Sequence, residues 1–120
     1  RNFNIKELFM SNDCLFCKIV NREIPSEFLY EDELCVVFKD INPAAPVHLL
    51  LVPKQHIRSI NDLEPEHGPL LSHLFMVAKK MAAQSGVGES GYKLLFNVEK
   101  GGGQVVFHIH LHLIAGRKKK

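Results

Sequence analysis

Apolar residues recur along this chain in two rhythms, and each change of rhythm marks an element. Leu15, Phe16, Ile19 and Val20 fall at helical spacing behind Asp13, a residue type that caps helices, and Pro25 stops the run, so a short N-terminal helix is predicted. Residues 28–30 and 34–38, separated by Glu31-Asp32-Glu33, predict two strands of a hairpin. Residues 40–46 predict a loop, because Pro43 and Pro46 remove ladder donors and restrict the residues before them. Residues 47–52 are a short apolar run bounded by prolines, which predicts a buried strand with His48 as its one polar insertion. The longest periodic stretch, 63–85, places Leu70, Leu71, Leu74, Phe75, Val77, Ala78, Met81 and Ala82 on one helical face. Lys79, Lys80 and Gln84 lie opposite, and Gly86 sits where a helix C-cap belongs. A strand at 92–98, a glycine-rich loop at 99–103 and a last strand at 105–115 complete the order. The expectation is an α+β fold: a mostly antiparallel five-stranded sheet covered by one long helix plus a short N-terminal helix.

Phe107-His108-Ile109-His110-Leu111-His112-Leu113 alternates strictly. Strand side chains alternate faces, so three imidazoles project to one side while Phe107, Ile109, Leu111 and Leu113 project to the other and can bury against the long helix. In a helix the same residues scatter around the axis. A solvated face filled with an uncommon residue three times running is the weakest explanation. A zinc site is a second, since imidazoles two apart on a strand can converge on a metal. Acid–base and nucleophilic chemistry is a third, and the strand alone does not choose between these two. Gly101-Gly102-Gly103-Gln104 just before it permits close backbone approach and exposes N–H groups, a cradle suited to an anion beside the imidazoles.

Length, charge and cysteine content narrow the class. The 120 residues suit one domain, and no apolar run reaches the ~18 residues of a membrane span. The net charge of +2 is carried by residues 117–120, which hold four positive charges and leave the rest at −2, so the basic character is a tail and neither nucleic acid nor membrane is expected as a partner. Three cysteines make no disulfide framework and leave one over, which fits a reducing compartment: the cytoplasm, with the nucleus as an additional setting. Cys35, between apolar strand residues, is expected in the core. Gly86-Val87-Gly88-Glu89-Ser90-Gly91 matches the dinucleotide-binding glycine string, but it follows a helix and precedes a strand, the reverse of the required context. His67 and His73, in or near the long helix, are expected to be exposed or at an interface.

Residues 104–113 resemble the histidine triad signature, His-x-His-x-His with alternating apolar residues. Phe16-Cys17-Lys18-Ile19 with Glu23-Ile24-Pro25, Phe38-Lys39-Asp40-Ile41-Asn42-Pro43 with Ala45-Pro46 and His48, and Val52-Pro53-Lys54-Gln55-His56-Ile57 extend the likeness over nearly the whole chain. It is nearest to the Hint branch, nucleotide-binding proteins that cleave adenosine 5′-phosphoramidates. The resemblance implies a histidine triad domain at 13–116, an N-terminal extension at 1–12 and a basic tail at 117–120. It also implies a hydrolase of purine nucleoside 5′-phosphoramidates working through a nucleotidyl-histidine. In that scheme His110 is the nucleophile, His112 contacts phosphate and protonates the leaving amine, His108 and His48 support the array, and His56 is a nearby supporting histidine. Asp40 binds the ribose hydroxyls, Asn97 and Gln104 approach the ribose-phosphate region, and the Gly103 backbone lies by the phosphate. Leu15, Phe16, Ile19, Phe38 and Ile41 form the apolar slot for the base; from the residues alone they read simply as core.

Two departures bear on function. Most Hint proteins carry serine where this chain has Val105, in the nucleotide-binding stretch, so a side-chain donor to the phosphate or leaving group is missing. The aromatic and proline-containing tail of many relatives is replaced by Arg117-Lys118-Lys119-Lys120. No cofactor is expected for catalysis. The resemblance supplies a structural zinc as an option, on Cys14 and Cys17 with His48 and His108; the alternative is two buried thiols. It also implies a homodimer paired around the long helix and an adjacent strand. Competing functions are a dinucleoside polyphosphate hydrolase of the Fhit type and a nucleotide-binding regulator or scaffold with weak activity.

Overall fold

The computed structural model describes residues 14–116. The expected extension, the Asp13 cap and the basic tail lie outside the described residues. Strands β1 (Tyr30–Glu31), β2 (Cys35–Lys39), β3 (Val47–Pro53), β4 (Lys93–Leu95) and β5 (Leu111–Ala115) form one sheet in the order β1-β2-β3-β5-β4, with every neighbouring pair antiparallel. A short helix α1 (Leu15–Val20) and a long helix α2 (Gly68–Gln84) complete the α+β architecture expected from the hydrophobic pattern.

The sheet is buried on both faces, which explains why β2 and β3 read as continuous apolar runs. On one face Val37, Leu49, Leu51, Leu111 and Leu113 pack against Leu74, Val77, Ala78 and Met81 of α2. On the other, Val36, Phe38, Leu50 and Val52 pack against Phe16 and Ile19 of α1. In register, Leu50 faces His112 and His48 faces Ile114, so these two imidazoles share the α1 side of the sheet.

Element ends differ from the sequence expectation for identifiable reasons. Cys14 caps α1, its Sγ accepting the Cys17 N–H at 3.3 Å. The N-terminal part of the expected long helix holds instead a 3₁₀ turn, Pro65–His67, preceded by another at Ile60–Asp62, because Pro65 and Pro69 cannot donate to a continuing helical ladder. His67 is built into the second turn, where its Nδ1 accepts the Glu64 N–H at 2.9 Å. At the other end Gly86, at φ 78°, stops α2, with the Val87 N–H on the Ala82 carbonyl and the Gly86 N–H on that of Ala83. The glycine string at 86–91 is therefore a helix stop and not a phosphate loop. Among the described residues no helix is long and apolar enough to cross a bilayer.

The largest correction concerns the last strand. It starts at Leu111, not at residue 105. Its β3 partner ends in Pro53, which has no N–H to give, and the Pro53 carbonyl is occupied by His108 Nε2 at 2.8 Å. Residues 105–110 therefore leave the ladder, and the Ile109 N–H turns to the Ile57 carbonyl. β4 is short for the matching reason, since past Leu95 its partner strand is gone. Phe107 does not join the helix-facing core. It is 37% exposed, with the Arg58 guanidinium 4.9 Å from its ring centre.

Candidate active site and metal centre

Leaving the ladder at residue 110 separates the three histidines into two chemical settings. His108 is fully buried and its Nε2–H donates to Pro53, which leaves Nδ1 as a bare lone pair. Around that nitrogen lie Cys14 Sγ at 3.4 Å, Cys17 Sγ at 3.5 Å and His56 Nδ1 at 3.1 Å, and Cys17 Sγ is 3.2 Å from His56 Nδ1. A tetrahedral centre with sulfur at ~2.3 Å and nitrogen at ~2.0 Å has edges of roughly 3.3–3.8 Å, close to these separations. Two soft thiols and two imidazoles, all turned inward with the His108 tautomer locked by a backbone carbonyl, fit a zinc ion.

This corrects the expected ligand set. His48 is not in it; His56 takes the place. His48 sits in the middle of β3 among the α1-facing residues, with Nδ1 accepting the Ala44 N–H at 3.0 Å and Nε2 at 2.9 Å from His112 Nδ1. His56 correspondingly is a member of the thiol cluster and not of the catalytic array.

The second setting holds His110 and His112. Nδ1 of His110 donates to the His108 carbonyl at 2.8 Å, so its Nε2 carries the free lone pair. Burial depresses its pKa, so the ring is neutral at pH 7. For His112 the tautomer follows from its partner: the Ala44 N–H requires His48 to carry its proton on Nε2, which donates to His112 Nδ1, so His112 bears its proton on Nε2. The Asn97 amide lies 3.4 Å from that Nε2. The array thus places a nucleophilic nitrogen beside a proton donor, with ring centres 4.9 Å apart.

A cleft of about 350 Å³ opens onto His110 and is lined by Leu15, Phe16, Ile19, Phe38, Asp40, Ile41 and Val105 among others, which brings together the expected base slot. Phe16 meets His110 edge-on, centres 4.8 Å apart at 88°, and Phe38 at 5.7 Å. Asp40 stands at the mouth, one carboxylate oxygen accepting the Asn42 N–H at 2.8 Å and the other 3.4 Å from His48 Nε2. Ile41, 91% exposed, and Val105, 85% exposed, leave apolar surface at the rim.

Gln104 is the one expected nucleotide contact that the fold redirects. Its side chain is buried and fully engaged, accepting the Glu99 N–H at 2.8 Å and donating to the carbonyls of Arg58 and Val106 at 2.8 and 3.1 Å. It holds the glycine loop instead of facing a ligand. The same loop is clamped by a pair absent from the sequence reading: Arg58 makes two parallel bonds to Glu99, at 2.7 and 2.8 Å. Glu99 sits at φ 63°, ψ 172°, backbone territory reserved almost entirely for glycine, so the surroundings force it there. The Arg58 guanidinium holds the Glu99 carboxyl down to about 2, which keeps the pair ionised through the neutral range. Gly103, at φ 90° next to Asn97, follows directly. The signal for this clamp was absent because 41 positions separate its partners. Arg58→Gln is expected to lower kcat roughly 3- to 10-fold with a near-unchanged melting temperature, since loosening the loop misplaces groups beside His112; steady-state kinetics paired with a melting curve checks it.

Burial, with the adjacent His110 and His48, lowers His112 to about 4. Between pH 6.5 and 4 the unfolded chain therefore binds the proton and the folded one does not, so this contribution is whole above pH 6.5 and declines as the pH falls towards 4. Melting temperature measured over that window should fall for the wild type, with a shallower slope in His112→Asn.

A family model described as the scavenger mRNA decapping enzyme C-terminal binding region matches residues 13–120. The purine nucleoside phosphoramidase of Escherichia coli strain K12 is 45% identical over 108 residues, 90% of this chain and 91% of that one. The chain belongs to the histidine triad family. Within the family, HitA of Neisseria gonorrhoeae is 50% identical over 103 residues, covering 86% of this chain and 95% of that protein. The crystal structure of a HIT family hydrolase from Legionella pneumophila superposes with a TM-score of 0.86 at 51% identity, covering 88% of this chain and 95% of that one. The histidine triad fold expected from residues 104–113 is the fold observed.

Proposed function

We propose that this protein hydrolyses purine nucleoside 5′-phosphoramidates in two displacements at phosphorus, with His110 as the nucleophile. The observation that carries the reading is the bond from His110 Nδ1 to the His108 carbonyl, which aims a neutral, unprotonated Nε2 into a cleft of the size and lining of a purine nucleotide. The 45% identity to a purine nucleoside phosphoramidase supports the substrate class. His110 Nε2 attacks the α-phosphorus, and the P–N bond breaks as the His112 Nε2 proton passes to the departing amine while the His48 Nε2 proton moves onto His112 Nδ1 and is replaced from solvent beside Asp40. Water then attacks the nucleotidyl-histidine, passes a proton back to His112 Nε2, and releases the nucleoside monophosphate and a neutral His110. His48 keeps His112 in the tautomer that can donate first and accept second. Asp40 takes the ribose hydroxyls, and Phe16, Ile19, Phe38 and Ile41 the base.

Cys14, Cys17, His56 and His108 hold a structural zinc in this scheme. The ion stabilises the segment that carries His110, and no step passes through it. The active form is a homodimer, for which β4 at the sheet edge and the half-exposed Phe75 and Met76 of α2 offer unpaired and apolar surface.

The deciding experiment is to incubate the protein with adenosine phosphoramidate labelled at phosphorus, quench in base and map the label. A base-stable nucleotidyl group on His110 is the expected result; label elsewhere, or none during turnover, excludes the mechanism. Parallel assay with a dinucleoside polyphosphate separates the phosphoramidase reading from the Fhit type. Val105→Ser should raise kcat roughly 2- to 10-fold, the value of one hydrogen bond to the phosphate or leaving group; unchanged kcat would mean that the exposed Val105 side chain stands clear of the reacting atoms.

A further inference from the structure

The thiol cluster and the nucleophile are joined by two independent contacts. Phe16 stands between Cys14 and Cys17 on α1, and its ring meets His110 at 4.8 Å and His108 at 6.1 Å while forming a wall of the substrate cleft. The second contact runs through the backbone: His108, whose ring is enclosed by both sulfurs, supplies the carbonyl that orients His110. Whatever moves the two sulfurs moves both supports of the nucleophile.

The sulfurs are placed to react with each other. Cys14 and Cys17 lie three apart across the first turn of α1, the Cys14 Sγ accepts the Cys17 N–H, and both ligand atoms fall within 4.8 Å. A side-chain rotation brings such a pair to the ~2.05 Å of a disulfide. Cys14 is also reachable through a second cavity, which shares Leu15, Val105 and Val106 with the cleft but not His110. This cavity, of about 480 Å³, is lined by Cys14 and His56 together with Arg58 and Phe107. Cys35, the third cysteine, is fully buried in the α2-facing core and far in the fold from this route.

We propose that Cys14 and Cys17 are a reversible oxidation site: a hydroperoxide entering this cavity converts them to a disulfide, which unseats His110 and switches turnover off. In the first step a Cys14 thiolate attacks the peroxide oxygen, giving a sulfenic acid and hydroxide (or an alkoxide). In the second the Cys17 sulfur attacks the Cys14 sulfur, the S–S bond forms, and the sulfenic oxygen leaves as water with the remaining protons. Two thiols are oxidised by two electrons and one peroxide is reduced; a metal ion held by the pair is released as the same divalent cation. The new bond withdraws both sulfurs from His108 and His56 and turns the helix carrying Phe16. A dithiol reductant reverses it by exchange.

The switch rests on the phosphoramidase reading for its activity readout, and its chemistry is measured without it. The zinc-loaded protein is treated with stoichiometric hydrogen peroxide, alkylated, digested and mapped by mass, with released zinc followed by a metallochromic dye. The expected result is a Cys14–Cys17 peptide lighter by two hydrogens, one zinc released per chain, and roughly tenfold or greater loss of turnover on an AMP-amine, all restored by dithiothreitol and zinc. Cys35→Ala keeps the full response. Preferential oxidation of Cys35, passage of Cys14 straight to sulfinic acid, or a formed disulfide with unaltered turnover each overturns the proposal. If the untreated protein turns over no phosphoramidate, the functional reading has failed instead, and AMP affinity by calorimetry takes over as the readout: a loss on oxidation supports the switch through Phe16, and no change overturns it.

Discussion

Replacing His110 with alanine lowers turnover of an AMP-amine by ~10³-fold or more while AMP affinity stays within about threefold. The asymmetry follows from the division of labour in the cleft. In the proposed pose the base would lie against Phe16, Ile19, Phe38 and Ile41 and the ribose against Asp40, and Phe16, Ile19 and Phe38 belong to the apolar core between α1 and the sheet. The reacting nitrogen has no substitute: His112, 4.9 Å away, has its Nδ1 engaged by His48 and its Nε2 protonated, so it can donate but not attack. Steady-state kinetics with calorimetric titration of AMP separates the two effects. A variant that retains turnover would place the nucleophile elsewhere; one that loses binding in proportion would make His110 a binding group. His112→Asn gives the complementary pattern, losing most with poor leaving groups and least with amines that depart without a proton.

Removal of zinc carries the largest expected effect on stability. The proposed zinc would join α1 through Cys14 and Cys17 to His56, just after β3, and to His108, just before β5. A ligand bound to the folded state alone at about a thousand times its dissociation constant contributes roughly 4 kcal/mol, which for a domain near this size corresponds to about 15 °C or more in melting temperature. Treatment with a strong chelator should produce a fall of that order, and elemental analysis should count one zinc per chain beforehand. The identity of the fourth ligand makes the sharper test. His56→Ala should lose zinc, and His48→Ala should keep it, because His48 lies with Asp40 and His112 in the other cluster. The reverse outcome would restore the ligand set read from sequence.

These two experiments address the two halves into which the fold divides the histidine cluster. His108 faces thiols; His110 and His112 face the cleft. The division is made where the chain leaves the β5 ladder, and it explains how three imidazoles at alternating positions serve two purposes. It also gives the Arg58–Glu99 clamp its place, since the glycine loop beside Asn97 and His112 has no strand to hold it and depends on side chains instead.

Periodicity alone determined the α+β class, the long amphipathic helix and the burial of β2 and β3, because hydrophobic burial writes itself into spacing as 3.6 for helices and 2 for strands. The signature at residues 104–113 likewise identified the family, since His-x-His-x-His on an extended chain is a local feature that needs no partner to be visible. The tertiary structure decided everything that depends on which distant segments meet. It placed His56, not His48, with the two thiols and His108, engaged the Gln104 side chain inside the glycine loop, ended β5 at Leu111 because Pro53 cannot extend the ladder, and paired Arg58 with Glu99. Apart from the local bonds of Gln104 to Glu99 and Val106, those are contacts across 39 to 94 positions of chain, set by strand register and helix packing rather than by anything written at either end.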